Sequence, residues 1–298
     1  MNTVIINNDK INLNSNLEES SFGKTNYFTL INEKGYLYNS KEEDFSPWTF
    51  EGVNTTLSAD SKSYVYYHGP NPLTNNSKTL LSFFCDNENK DELYKAVTLV
   101  VKAITLALKK DLILPLVGGE GIVVDINEEK VLFLPETIFK YSTNILSEEE
   151  YFNKETAWLN STIKDKAGMS YERALIVYKL LTTQYPYKET NEEKRNQDIL
   201  DKNFLPIEVC FPNINPSFAK ELNRCLSLVS TAVELPGNKK KGVSSSALTI
   251  HEDFDFDSFN KVWEERKKLT DEELKQKVEE YLTNKKKQGR SSEKASPK

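Results

Sequence analysis

The stretch Leu114–Pro135 reads LPLVGGEGIVVDINEEKVLFLP and holds the clearest strand pattern in the chain. Two short runs rich in β-branched and aromatic residues, Gly121–Asp125 and Lys130–Leu134, predict strands. The residues between them, INEE, are polar enough for a turn. We therefore expect a two-stranded hairpin at Gly121–Leu134.

The glycines that precede this hairpin raise the question of a phosphate-binding loop. A nest for a phosphate needs backbone amides that converge at the start of a helix, whereas Gly118, Gly119 and Gly121 lead into a strand. Glu120 would in addition repel a phosphate. The pattern favours a tight turn that glycine makes possible.

Composition argues against several classes of function. A net charge of -6 and a pI near 5.3 argue against binding to nucleic acid or to a membrane surface, because both are anionic. The three cysteines, Cys85, Cys210 and Cys225, are far apart and odd in number. They predict neither a disulfide framework nor a zinc site, and they fit a reducing, cytoplasmic setting. We expect no signal peptide and no membrane span.

The region between Tyr27 and Phe84 predicts a small meander of antiparallel strands without a helix. Aromatic and β-branched runs alternate there with turn residues. The runs are YFTLI (Tyr27–Ile31), YLY (Tyr36–Tyr38), WTFEGV (Trp48–Val53), YVYYH (Tyr64–His68) and TLLSFF (Thr79–Phe84).

Helical periodicity replaces the strand pattern on both sides of the hairpin. Asp91–Lys110 carries one broad apolar stripe at spacings of three and four. Ser170–Thr183 is apolar nearly all round, which predicts a buried central helix. Asn215–Leu228 has Pro216 in its first turn and apolar residues along one face. The second half of the chain is thus expected to be mainly helical.

The last part of the chain predicts one or two charged helices within Phe254–Lys287. Thr270 and Glu273 are spaced as a capping box, and Leu274, Val278 and Leu282 form a thin apolar seam. The preceding stretch HEDFDFDSF alternates acids with phenylalanines but lacks the glycine and the terminal acid of a calcium loop. Its phenylalanines are expected to pack on the helical lobe or on a partner.

These patterns together predict an α+β chain in five parts. Residues 1–26 form a polar leader expected to be poorly ordered, 27–84 a small β-rich lobe, 85–235 a helical lobe, 236–253 a linker and 254–298 a charged helical tail.

Four segments, in order, resemble the large lobe of protein kinases. ERALIVYKLLTTQYPY (Glu172–Tyr187) resembles the central helix of that lobe and the loop after it. Asp91–Lys110 resembles the long helix before the catalytic loop, and TLLSFFCDNENKDELY the strand and hinge before that helix. INPSFAKELNRCLSL (Ile214–Leu228) resembles a late helix. The resemblance covers about Thr79 to Leu228 and implies a two-lobed, kinase-like fold with a reduced β lobe.

The same resemblance implies that phosphoryl-transfer chemistry has been lost. LPLVGGEGIVVD falls where a kinase carries its catalytic loop, with Leu116 at the position of the base and Gly121 at that of the metal-holding amide. Leu134 or Pro135 stands where the second metal-binding aspartate would be. Leucine can neither accept a proton nor coordinate magnesium. The resemblance thus implies a pseudokinase with no catalytic, cofactor-binding or metal-binding residues and no cofactor.

The predicted β lobe departs further from a kinase. The stretch NEKGYLY (Asn32–Tyr38) has one glycine, too few for a phosphate-covering loop, and no strand lysine with a helix glutamate is evident. Lys62 and Lys78 are interpreted as solvated surface lysines. His68 and His251 stand apart from other metal-binding or nucleophilic residues and are interpreted as surface or turn histidines.

Three hypotheses for function remain open. The first is a catalytically inactive kinase-like domain that acts as a regulatory or scaffolding module. It would bind a protein partner, in part through Phe254–Lys287, with ATP binding doubtful. The second is a divergent active serine/threonine kinase or nucleotide transferase that binds ATP and recruits Glu120, Asp125 or Glu136 for metal. The third is an unrelated α+β binding protein whose kinase resemblance is accidental.

Overall fold

The computed structural model describes residues 3–15, 33–57, 63–86, 89–115, 119, 121–135, 166–187, 194, 197–198, 201–227 and 252–293. The chain forms two compact units, Met1–Glu172 and Arg173–Lys298. Strands dominate the first unit and helices the second, which confirms the α+β class.

The described strands are β1 (Thr3–Ile6), β2 (Lys10–Ser15), β3 (Gly35–Asn39), β4 (Asp44–Trp48), β5 (Gly52–Leu57), β6 (Ser63–Pro70), β7 (Lys78–Thr79), β8 (Ile122–Asp125) and β9 (Lys130–Phe133). They form two antiparallel sheets with the strand orders β1-β2-β6-β5 and β4-β3-β9-β8-β7.

The described helices are α1 (Leu80–Cys85), α2 (Lys90–Lys109), α3 (Lys166–Thr182), α4 (Ile207–Cys210), α5 (Pro216–Leu226), α6 (Phe256–Arg266) and α7 (Asp271–Glu293). They confirm the predicted helices at 91–110, 170–183, 215–228 and 254–287 to within a few residues. The predicted linker at Pro236–Ser246 lies outside the described residues.

The prediction of a poorly ordered leader is wrong for residues 3–15. These residues form the β1–β2 hairpin, and β2 continues the sheet by pairing with β6, so that Ile11 lies opposite Gly69. Ile11 is fully buried, and Val4 and Ile6 pack against the same core. The asparagine-rich sequence conceals the strands because their stabilising partner, β6, lies about fifty residues further along the chain.

The predicted strand Thr79–Phe84 is also wrong, because its residues form helix α1. Only Lys78 and Thr79 pair with β8. The Thr79 hydroxyl then accepts a hydrogen bond from the Ser82 amide at 3.1 Å, which caps the helix start. Leu80 and Phe83 face the core from the helix, so the apolar residues are buried in either conformation and their periodicity is ambiguous.

The predicted hairpin is confirmed, but it does not belong to the helical lobe in which the sequence placed it. Strand β9 pairs with β3 as well as with β8, so the hairpin is central in the five-stranded sheet. Val123 and Leu132 belong to the core shared with the other sheet. Their neighbours along each strand lie on the opposite face, where α2 packs. Both faces are covered, which explains the unbroken apolar runs.

A hydrophobic core joins the two sheets of the first unit. Its members come from five strands and from the connections between them. They are Ile11, Trp48, Phe50, Tyr67, Leu73, Val123, Leu132 and Leu134. The sheets are therefore held by packing between their faces, as in other layered β structures.

Helix α3 is buried along nearly its whole length, as the sequence predicts. The burial extends to charged residues: Glu172, Arg173 and Lys179 are at most 5% exposed. Buried charges are costly unless they are paired, so polar partners are needed around this helix. In the second unit those partners include residues of α5 and of the segment that precedes α6.

We expect Thr183→Gly to stabilise the protein by about 0.5–1 kcal/mol. Thr183 follows the end of α3 with a φ of 58°, a left-handed conformation that strains a β-branched residue. Glycine removes that strain, and the backbone N–H of residue 183 still donates its hydrogen bond to the Lys179 carbonyl. Urea unfolding measures the change.

The neighbouring Thr182→Gly substitution is the matched control. Thr182 is helical and fully buried, and its hydroxyl donates to the Tyr178 carbonyl at 2.8 Å. Glycine there should destabilise the protein. A Thr183→Gly variant that is no more stable than wild type would show that the left-handed residue carries no strain.

Candidate functional site

The end of the β8–β9 hairpin is where the kinase resemblance places the metal ligands. Gly121 and Leu134 both lie there and are both buried. The Leu134 amide donates to the Gly121 carbonyl at 2.9 Å, which adds one rung to the hairpin ladder. The two positions that would hold magnesium in a kinase thus bond to each other through the backbone, and neither has a side chain that binds a metal.

The residues around Gly121 and Leu134 are also buried or held by backbone hydrogen bonds. Pro135 is buried, and Leu134 belongs to the core between the sheets. The Gly119 carbonyl accepts a bond from the Leu81 amide at 2.9 Å, which ties the glycine stretch to helix α1. The predicted base position, Leu116, lies outside the described residues, as do Glu120 and Glu136.

Asp125 is one of the three carboxylates that the hypothesis of an active enzyme recruits for metal. In the structure it accepts hydrogen bonds from the protein. It is fully buried. One oxygen accepts bonds from the Thr74 amide and hydroxyl, each at 2.7 Å. The other accepts from the amides of Asn127 and Glu128 at 3.1 and 3.0 Å. Asp125 therefore fixes the hairpin turn and holds the loop after β6.

These contacts also set the charge of Asp125. Burial by itself would raise the pKa of the carboxyl, but the hydrogen bonds from Thr74, Glu128 and Asn127 outweigh it and hold the pKa below its usual range. Asp125 stays ionised as a structural acceptor. A carboxyl that transfers protons near neutral pH needs a raised pKa, whereas the pKa of Asp125 is lowered.

Lys78 lies on β7 with an exposed side chain, as the sequence predicts. Its ammonium group is 3.5 Å from Asp86 and 3.9 Å from Glu92 on α2. All three side chains are about two-fifths exposed, so these surface ion pairs add little stability. Lys78 is thus a solvated lysine beside an acidic surface.

The described part of the chain was also searched for metal-binding groups and for reactive thiols. No group of three or more histidine, cysteine, aspartate or glutamate residues there could hold a metal ion. Burial raises the pKa of Cys210 to about 11, and burial together with Glu221 raises that of Cys225 to about 12. Thiols with such pKa values are poor nucleophiles at neutral pH.

A second cluster of polar and aromatic residues lies in the helical unit. Arg173 on α3 is 2% exposed, and its guanidinium donates to the Glu252 carbonyl at 3.0 Å. The same guanidinium lies 5.4 Å from the centre of the Phe254 ring. Phe254 also contacts Phe218 of α5 edge to face at 5.6 Å. This cluster attaches the acidic–aromatic stretch to α3 and α5.

The phenylalanines of that stretch pack on the helical unit, which is one of the two outcomes that the sequence left open. Phe254 contacts both Phe256 and Phe259, at 4.9 and 5.6 Å between ring centres.

The sequence did not single out Arg173, because a lone arginine in an apolar helix gives no indication of its partner. Its charge among apolar neighbours is the signal that could have marked it.

In the part of the chain that the structure describes, no helix combines the length and the apolar character that a membrane span needs. No protein-family model matches the sequence. No curated protein matches it either.

The comparison with solved structures finds chains of similar structure. Two of them are the Neurospora crassa PAN3 pseudokinase and a mutant of it. The mutant shares 13% identity at a TM-score of 0.39, and the other structure 12% at 0.38. The matches cover 95% of this chain and 61% of each of those chains.

Proposed function

We propose that this chain is a kinase-like domain that does not transfer phosphate and that works as a regulatory or scaffolding module for a protein partner. One observation carries the proposal. Gly121 and Leu134, which the resemblance places at the magnesium positions, are buried and bonded to each other. Phosphoryl transfer depends on metal ions that bridge the phosphates.

The charge of the chain supports a protein as the partner. Its net charge of -6 opposes the approach of nucleic acid or an anionic membrane. The three cysteines are free, in accord with a reducing, cytoplasmic setting. The α6 and α7 helices remain the proposed contribution of the tail to the partner surface, through their solvated faces.

The hypothesis of an active enzyme gains no support from Asp125, because both of its oxygens accept hydrogen bonds from the protein. A metal ion would have to compete with four donors that also hold the local fold. The other two carboxylates of that hypothesis, Glu120 and Glu136, lie outside the described residues.

A thermal-shift titration with Mg-ATP tests the proposal. A ligand that binds the folded state raises its stability by about 2.7 kcal/mol at a hundredfold excess over Kd, so binding would be obvious. We expect no magnesium-dependent rise in Tm at millimolar Mg-ATP and no phosphate transfer to a generic protein substrate.

A magnesium-dependent rise in Tm would contradict the proposal. Loss of that rise in Asp125→Asn, corrected for the lower Tm of this variant, would assign the metal to Asp125. ADP without magnesium is the control, since it separates adsorption of the nucleotide from a metal-dependent site. Phosphate transfer by the wild-type chain would overturn the proposal outright.

A further inference from the structure

The first strand of the four-stranded sheet, β1, is an open edge of that sheet. It pairs with β2 on one side, and no described strand pairs with its other side. An edge strand exposes backbone N–H and C=O groups that can bind a further strand. Ile5, in the middle of β1, is 41% exposed. A large apolar side chain therefore lies in solvent beside these backbone groups.

The hydrogen bonds of the β1–β2 hairpin identify the backbone groups that face the open side. The Asn7 amide donates to the Lys10 carbonyl at 2.8 Å, which makes these two residues a hydrogen-bonded pair across the turn. Such pairs alternate along antiparallel strands, so Ile5 is the next residue of β1 that bonds to β2. The backbone groups of Val4 and Ile6 therefore point toward the open side, while their side chains pack against the core.

The other edges of the two sheets carry features that hinder such pairing. Strand β4 contains the charged Asp44 and Pro47, and proline has no N–H to donate. Strand β7 is two residues long and includes Lys78. Strand β5 is neutral, but it contains Gly52 and Asn54, residue types that strands disfavour. Short strands, charges and proline protect sheet edges, whereas β1, with the sequence TVII, has neither charge nor proline.

We propose that β1 binds β1 of a second copy of this chain, antiparallel and about a two-fold axis. Since Val4 and Ile6 present the free backbone groups, the register places Val4 of one copy opposite Ile6 of the other. Each of these symmetry-related pairs exchanges both of its N–H···O=C bonds. The two Ile5 residues then lie opposite each other on the axis, and the two four-stranded sheets become one continuous sheet.

The sequence of β1 favours a second copy over a different partner strand. An interface on a two-fold axis must be complementary to itself. Residues 2–8, NTVIINN, carry no charge, so self-pairing places no like charges opposite each other although the net charge of the chain is -6. On the axis, residues that face each other have Cβ atoms about 4.5–5.5 Å apart, so the exposed Ile5 side chains cover each other.

Sedimentation equilibrium of the full chain, from about 1 μM to about 1 mM, tests the inference. A strand pair of this length is a small interface, so we expect a dimer that dissociates on dilution. Ile5→Lys and Ile5→Glu each place like charges on the two-fold axis, and each should raise the Kd of the dimer about tenfold or more. An equimolar mixture of the two variants places opposite charges there and should restore the dimer.

Ile113→Lys is the matched control. Ile113 is the other exposed large apolar residue in the described part of the chain, at 42%, and it lies outside both sheets. Its replacement changes the net charge as Ile5→Lys does, but the Kd of the dimer should stay at the wild-type value. Because Ile5 and Ile113 are both exposed, all three variants should keep the circular dichroism spectrum of the wild-type chain.

Several outcomes would overturn the inference. They are a wild-type chain that stays monomeric at the highest concentration, a Kd that Ile5→Lys leaves unchanged, and a mixture of the two charged variants that does not dimerise. Assemblies larger than a dimer would indicate that β1 pairs with β5 of the next copy, and they would also overturn the two-fold pairing. The Mg-ATP titration does not involve β1, so the two proposals fail independently.

Discussion

Replacing Asp125 by alanine should lower the free energy of unfolding by about 3 kcal/mol or more. The substitution removes a fully buried carboxylate and leaves the Thr74 amide and hydroxyl and the amides of Asn127 and Glu128 without their acceptor. Unmet donors cost more than the bonds themselves contribute. Urea unfolding, followed by circular dichroism, measures the loss.

The matched control is Asp86→Ala. Asp86 is an exposed acid that pairs with Lys78 at 3.5 Å, and we expect its loss to change stability by no more than about 0.5 kcal/mol. If the two variants were equally stable, the hydrogen bonds to Asp125 would not hold the hairpin turn.

The effect of Asp125 should also depend on pH, in a definite direction. The carboxyl titrates below the unfolded aspartate value of about 3.9, so folding favours the ionised form. Its contribution to stability is then complete above about pH 4 and is lost as the pH falls through the folded-state pKa. The stability gap between wild type and Asp125→Asn should therefore narrow below about pH 4. A gap that widens on acidification would contradict this assignment.

Replacing Trp48 by alanine should cost about 3–5 kcal/mol. The indole is 5% exposed and lies edge to face with Phe50 at 4.7 Å in the core between the sheets. Its ring also occupies the space above Gly69, where an added Cβ would lie 2.5 Å from the indole. Alanine leaves a cavity at the junction of the two sheets. Thermal and urea unfolding measure the loss.

Trp48→Phe separates packing from hydrogen bonding at this position. The indole nitrogen donates to the Pro70 carbonyl at 2.8 Å, and phenylalanine keeps most of the ring but not the donor. We expect a loss of about 1–2 kcal/mol, well below that of the alanine variant. Equal losses in the two variants would assign the whole effect to the hydrogen bond.

Much of the fold can be predicted from local sequence, and the reason is visible in particular elements. Helix α2 follows from a broad apolar stripe, and α5 from Pro216 and one apolar face. The β8–β9 hairpin follows from two apolar runs around a polar turn. The capping box predicted at Thr270 forms both of its reciprocal hydrogen bonds with Glu273. Each signal involves residues a few positions apart, which is the range over which periodicity and capping act.

The errors occur where a distant partner decides the conformation. Strands β1 and β2 are stabilised by β6, and α1 is a helix although its apolar residues also suit a strand. The hairpin lies beside β3 because β9 pairs with that strand, and both faces of the hairpin are covered. Pairing between distant strands leaves no pattern in the local sequence, and neither does burial on both faces. The local sequence therefore does not distinguish the observed conformation from other possible ones.

The sequence by itself determined the α+β class, the positions of the long helices, the hairpin and the absence of a metal-binding side chain at positions 121 and 134. Those are properties of residue type and spacing. Tertiary structure alone decided that Asp125 is a structural acceptor and that Arg173 holds Phe254. The free energy of a buried charge depends on the donors and acceptors that surround it, and here they come from residues that lie far along the chain.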